Sequence, residues 1–146
     1  MRRISLFLLL FALVLAGCGG SSGDVTVPEP PNTTAFEKSD SDQINKIIEG
    51  WQAQVPTTLT QNQIKQETIE QKVYDSTASL QEVVDFYTQQ ISSANGWTEV
   101  RNMPGLQNNL FLKAYDHGNI SLVVGALDAK QFGGTGTVIY TAKGSK

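Results

Sequence analysis

Ser79-Leu80-Gln81-Glu82-Val83-Val84-Asp85-Phe86-Tyr87 is the stretch on which the fold turns. A serine followed three residues later by glutamate is a capping box, in which each side chain satisfies an orphan amide of the first helical turn. Leu80, Val83, Val84, Tyr87, Ile91 and Ala94 then keep a 3.6-residue period, and Asn95-Gly96 supplies a left-handed stop. The spacing predicts one amphipathic helix with a single apolar stripe. Phe86 lies about 100° round the helix from Tyr87, at the edge of that stripe.

Downstream the period changes from 3.6 to 2. Residues 97–101, 109–115 and 120–127 read as three strands, and Asp116-His117-Gly118-Asn119 is the turn joining the last two. Ile120, Leu122, Val124 and Ala126 share one face, the pattern of a half-buried antiparallel strand. Residues 128–136 form a glycine-rich stretch read as a flexible hairpin loop, and 137–142 a last strand.

Upstream, Ile44, Ile47, Ile48, Trp51 and Val55 fall on one helical face. Asp40 is the expected N-cap, with Gln43 at capping-box spacing, and Pro56 the expected end. Residues 64–75 are taken as a strand on Ile69, Val73 and Tyr74, although Gln66, Glu67, Glu70 and Gln71 suit a helix equally. The expected class is α+β: an antiparallel sheet of four or five strands with one or two helices packed on one face.

The chain begins differently. Arg2 and Arg3 form a cationic start, and residues 4–15 are apolar but for Ser5. Such a segment rises about 18 Å as a helix, too short for a hydrocarbon core about 30 Å thick, so it reads as a signal-peptide core. Leu15-Ala16-Gly17-Cys18 follows and resembles the lipobox of bacterial lipoproteins. The resemblance implies that Leu15, Ala16 and Gly17 are the signal-peptidase recognition residues. It also implies that Cys18 receives diacylglycerol on its thiol and, with palmitate-type acylation, becomes the anchored N-terminus. One acyl chain binds a membrane marginally, whereas two or three hold it firmly. Gly19 stands where inner-membrane retention signals typically carry Asp, which points to the outer membrane or cell surface. The expected organisation is a signal peptide over 1–17, a lipidated N-terminus and flexible linker over 18–40, and a small α+β domain over 41–146. A linker of some twenty residues would span about 25 Å.

Cleavage would remove two arginines and leave nine basic against fourteen acidic side chains, a net charge of −5. No basic cluster is present, so a nucleic-acid partner has no electrostatic footprint. Cys18 is the only cysteine, which excludes an intramolecular disulfide. A domain near this size buries about two-thirds of its unfolded surface and can be stable by packing alone.

Constellations with catalytic overtones dissolve on inspection. His117, the only histidine, adjoins Asp116 in an expected hairpin tip, where no cleft shields a charge. Asp40-Ser41-Asp42 opens like a calcium loop, but Asn45 and Trp51 stand where glycine and a bidentate glutamate are required. Gly133-Gly134-Thr135-Gly136 precedes a strand, not the helix N-terminus that a phosphate cradle needs. Glu82 and Asp85 share a solvated helix face. No metal, no cofactor and no enzymatic activity are expected. Trp51 and Phe86 are the candidate partner-contact residues, as large aromatics near the edges of their apolar stripes.

The run Ser79 to Tyr87, then Ile91, then Gly96-Trp97, is similar to a pattern in small bacterial lipoproteins. There a capped helix with a Phe-Tyr pair leads into a Gly-Trp strand start and an antiparallel sheet. That resemblance covers roughly residues 69–142 and implies the α+β fold without chemistry. The functional expectation is a non-enzymatic binding or envelope-assembly module. It would be lipid-anchored in the cell envelope, face away from the cytoplasm and meet another envelope protein. The alternative is a carrier holding a small apolar ligand between helix and sheet.

Overall fold

The computed structural model describes residues 25–30 and 32–146; the segments expected to be signal peptide and lipobox, with Cys18, lie outside them. Seven strands and two helices alternate as β1 (Thr33–Ala35), α1 (Asp42–Gln61), β2 (Glu70–Ser76), α2 (Leu80–Gln90), β3 (Thr98–Glu99), β4 (Gly105–Gln107), β5 (Leu110–His117), β6 (Ile120–Asp128) and β7 (Thr137–Ser145). All strands pair antiparallel in the order β1-β2-β7-β6-β5-β3, with β4 also on β5. The α+β class is as expected. The strand count exceeds expectation because β1 and β4 are additional three-residue edge pieces. β4 escaped the sequence reading because it is only three residues long and is joined to β5 by Asn108-Asn109, both at positive φ (47° and 66°), the second of which is the first residue of the expected strand 109–115.

The expected placement of the helices is overturned. The helices lie on opposite faces of the sheet, not on one. Ile44, Ile48, Val55 and Leu59 of α1 pack against Val123, Leu127, Val138, Tyr140 and Ala142. Val83 and Tyr87 of α2 pack against Leu122, Val124, Ala126 and Ile139. The two sets alternate along β6 and β7, so they point to opposite sides. β6 is therefore buried on both faces rather than half-buried.

Helix α1 also departs at both ends. Its N-cap is Ser41, not Asp40: the Ser41 hydroxyl accepts from the Ile44 amide and donates to the carbonyl of Phe132. Pro56 does not end it. The helix continues to Gln61 although proline forfeits one backbone bond, because the following turn buries Leu59 beside Tyr140. Helix α2 carries the full capping box at Ser79 and Glu82 but stops at Gln90. A short 3-10 turn over Ser93–Asn95 then leads to Gly96, left-handed at φ 80°.

The stretch expected to be linker joins the folded body. Residues 33–35 pair with β2, and Val25 and Val27 pack against the α2-side core. Phe36 packs on the α1 side, so the chain passes round the β2 edge from one face to the other. The glycine-rich loop is likewise packed. Gly136 sits at φ +70°, and a Cβ there would lie 2.4 Å from the Ser76 carbonyl oxygen.

Candidate ligand cleft

Alternation along two strands sets one side-chain row. Lys72 and Tyr74 of β2 stand opposite Thr141 and Ile139 of β7, and Glu70 stands opposite Lys143. These residues project to the α2 side of the sheet, where Ile139 belongs to the core beneath Tyr87. Residues 26–29 cross the same face. Together they enclose a cleft of about 400 Å³ lined by Val27, Glu29, Lys72, Tyr74, Tyr87 and Thr141, among others. That volume falls within the range of small-molecule sites.

The mouth of the cleft is held by a carboxylate. Glu29 Oε1 accepts from Tyr74 Oη at 2.6 Å and from Lys72 Nζ at 3.0 Å. The Tyr74 hydrogen bond, and then the Lys72 ammonium, hold the Glu29 carboxyl below the usual range. In return Glu29 raises the Lys72 pKa, while burial, followed by Glu29, raises that of Tyr74. Lys143 approaches Glu70 at 3.8 Å and the Val25 carbonyl at 3.5 Å.

The inner wall differs. Tyr87 is 0% exposed, and its hydroxyl is the one buried side-chain polar atom without a hydrogen-bond partner among the described residues. Burial pushes its pKa well up, so the phenol stays protonated and able to donate. Burying a hydroxyl without a partner costs about 1–3 kcal/mol. Phe86 meets Tyr87 edge-on at 5.3 Å and backs the ring. A larger hollow of about 660 Å³ lies beside the glycine-rich loop, lined by Phe36, Lys38, Asp75 and Gly134 among others. It holds no such unpartnered group.

The candidates named from sequence are dispersed. Trp51 lies across the sheet from Phe86, with its ring 5.9 Å from that of Tyr140. A Cβ at Gly125 would come within 3.0 Å of the Trp51 ring, so this glycine makes the seat for the indole. Both Trp51 and Phe86 are partly buried. His117 ends β5 and packs on Trp97 at 5.2 Å, while Asp116 accepts from Ser121 Oγ at 2.5 Å. Neither reaches the cleft. Glu82 is committed to its capping box and Asp85 accepts from Gln81. Cys18, Leu15, Ala16 and Gly17 lie outside the described residues.

The cleft residues were missed for identifiable reasons. Tyr87 read as ordinary core. Lys72 and Tyr74 carry the period-2 signal of a shared face, but Glu29 sits in a proline-rich stretch with no periodicity to place it. Among the described residues no helix is long and apolar enough to cross a membrane, and no group of three or more metal-ligating side chains occurs. Comparison of the chain with protein-family models, with curated proteins and with solved structures finds no match.

Proposed function

We propose that the protein is a lipid-anchored, non-enzymatic binding module of the bacterial cell envelope, with the cleft beside Tyr87 as its ligand site. The observation that carries the ligand site is the buried Tyr87 hydroxyl, a donor held without a partner against a cavity of molecular size. Carrier function in this helix–sheet cleft is favoured over purely structural packing because an unpaired buried hydroxyl has no structural benefit. Val27, Pro28 and the two tyrosine rings supply apolar wall, and Lys72, Glu29 and Thr141 supply orientation.

The anchor reading rests on the lipobox sequence and gains a geometric consequence. Val25 is already part of the folded body, so seven peptide steps separate it from Cys18. They cannot exceed about 25 Å however they are arranged. A chain acylated at Cys18 would thus keep its domain against the membrane rather than at the end of a long tether, placed at the outer membrane or cell surface. A second reading, docking onto another envelope protein, is favoured by the β3–β4 side of the sheet. Val100 and Leu106 are the large apolar side chains left exposed there, at 37% and 45%.

Two measurements test the proposal. Detergent phase partitioning should send the wild type to the detergent phase and Cys18→Ala to the aqueous phase; equal partitioning would refute the anchor. Native mass spectrometry of the full chain released from detergent should reveal a co-purifying small molecule. A bare chain whose Tyr87 ring signal also ignores small acids, alcohols and amines would refute the cleft.

A further inference from the structure

We propose that the cleft takes a small carboxylic acid bearing a second oxygen acceptor, and that Glu29 is the chain's own stand-in for the ligand carboxylate. This rests on the cleft being the binding site. The Tyr74 hydroxyl and the Lys72 ammonium converge on one carboxylate oxygen, at 2.6 and 3.0 Å. Charge-assisted donors so placed constitute an anion subsite, and the protein fills it from its own N-terminal segment. Glu29 itself is half exposed, at 50% of its side-chain surface. It can therefore swing into solvent without disturbing Val27, which packs on the core beside it.

With Glu29 turned away, the Tyr74 hydroxyl and the Lys72 ammonium lose their shared acceptor. An incoming carboxylate replaces it. The second polar demand comes from inside. Tyr87 lines the inner wall of the cleft and offers a donor that nothing in the described residues accepts. A ligand whose carboxylate takes the Glu29 position and whose second oxygen accepts from Tyr87 satisfies both ends of the cleft. The stretch between them runs beside the Tyr74 and Tyr87 rings, which favours a short apolar spacer over a further charge. Competition from Glu29 also sets the affinity, since only the fraction with an open subsite binds.

The test uses the full chain in detergent micelles with tyrosine labelled at the ring carbon bearing oxygen. Its four tyrosines give four reporters. Levulinate, a carboxylate with a ketone oxygen, is the probe, and its methyl ester is the control. Levulinate should shift the Tyr74 and Tyr87 signals saturably and leave Tyr140, on the other face, unmoved. Glu29→Gln should tighten binding about fivefold by removing the competitor. Lys72→Met should weaken it about tenfold, the worth of one charge-assisted hydrogen bond. Lys72 is 58% exposed, so this variant keeps its fold, and an unchanged Tyr140 signal verifies that. An ester that binds as tightly as the acid, or a Glu29→Gln affinity equal to wild type, overturns the carboxylate assignment while leaving the cleft as a site. If neither acid nor ester moves Tyr87, both the assignment and the cleft reading fall.

Discussion

The two faces of the sheet are built from the same strands, yet the buried tyrosine on each is held differently. On the α1 face, Tyr140 is buried and its hydroxyl donates to Gln71 Oε1 at 2.7 Å. On the α2 face, Tyr87 is equally buried and its hydroxyl donates to nothing in the described residues. Helix length accounts for much of the contrast. Helix α1 has 20 residues, about 30 Å at 1.5 Å per residue, and so matches the nine-residue central strands. Helix α2 has 11 residues, about 16 Å, and leaves part of its face to the N-terminal segment and the cleft.

The comparison can be broken at its strongest point first. Leu127 is fully buried under α1, so Leu127→Ala should cost about 3 kcal/mol in chemical denaturation, as for a sealed core position. A loss below about 1 kcal/mol would show that the core under α1 relaxes around the missing side chain. The tyrosine pair gives the next effect, and its two members should have opposite signs. Tyr140→Phe removes a made hydrogen bond and should destabilise by about 1 kcal/mol. Tyr87→Phe removes an unmet one and should stabilise the ligand-free protein by about 1 kcal/mol. Losses of equal size at both sites would mean that Tyr87 has a partner and that the faces are alike.

The smallest effect is pH-dependent. Glu29 has a carboxyl pKa below its ordinary value in the folded chain, chiefly through Tyr74 and then Lys72. Its contribution is therefore present above the unfolded carboxylate pKa, near 4.5, and is lost as pH falls through the lower folded value. Hydrogen exchange at the amides of Val27 and Glu29 should accelerate, relative to their intrinsic rates, in that acid window and not above it. In Glu29→Gln the step should disappear. Exchange with the same pH profile in both forms would show that the carboxylate does not hold this segment.

Local signals in the sequence were read correctly where their chemistry is local. The Ser79–Glu82 capping box closes over three residues and needs nothing from the rest of the chain. Gly96 is left-handed as expected, although it closes the 3-10 turn over Ser93–Asn95 and not α2. Errors arose where distant packing overrode a local preference. Pro56 is a helix terminator by its own chemistry, but burial of Leu59 carries α1 past it. The proline-rich segment around Glu29 has tether composition, but the β2 edge and the cleft give its residues partners 43 and 45 positions away. Gly125 offers no pattern at all; its role is visible only once the Trp51 ring lies over it.

Sequence alone therefore determined the α+β class, the antiparallel strands from Leu110 onward and the capped second helix. Each depends on periodicity or on a motif a few residues long. Tertiary structure alone decided that the helices take opposite faces, that residues 25–30 and 32–40 join the body, and that Tyr87, Tyr74, Lys72 and Glu29 share a cleft. A stripe of apolar residues states that a helix must be covered but not by which side of a sheet. That choice belongs to the packing of the whole chain.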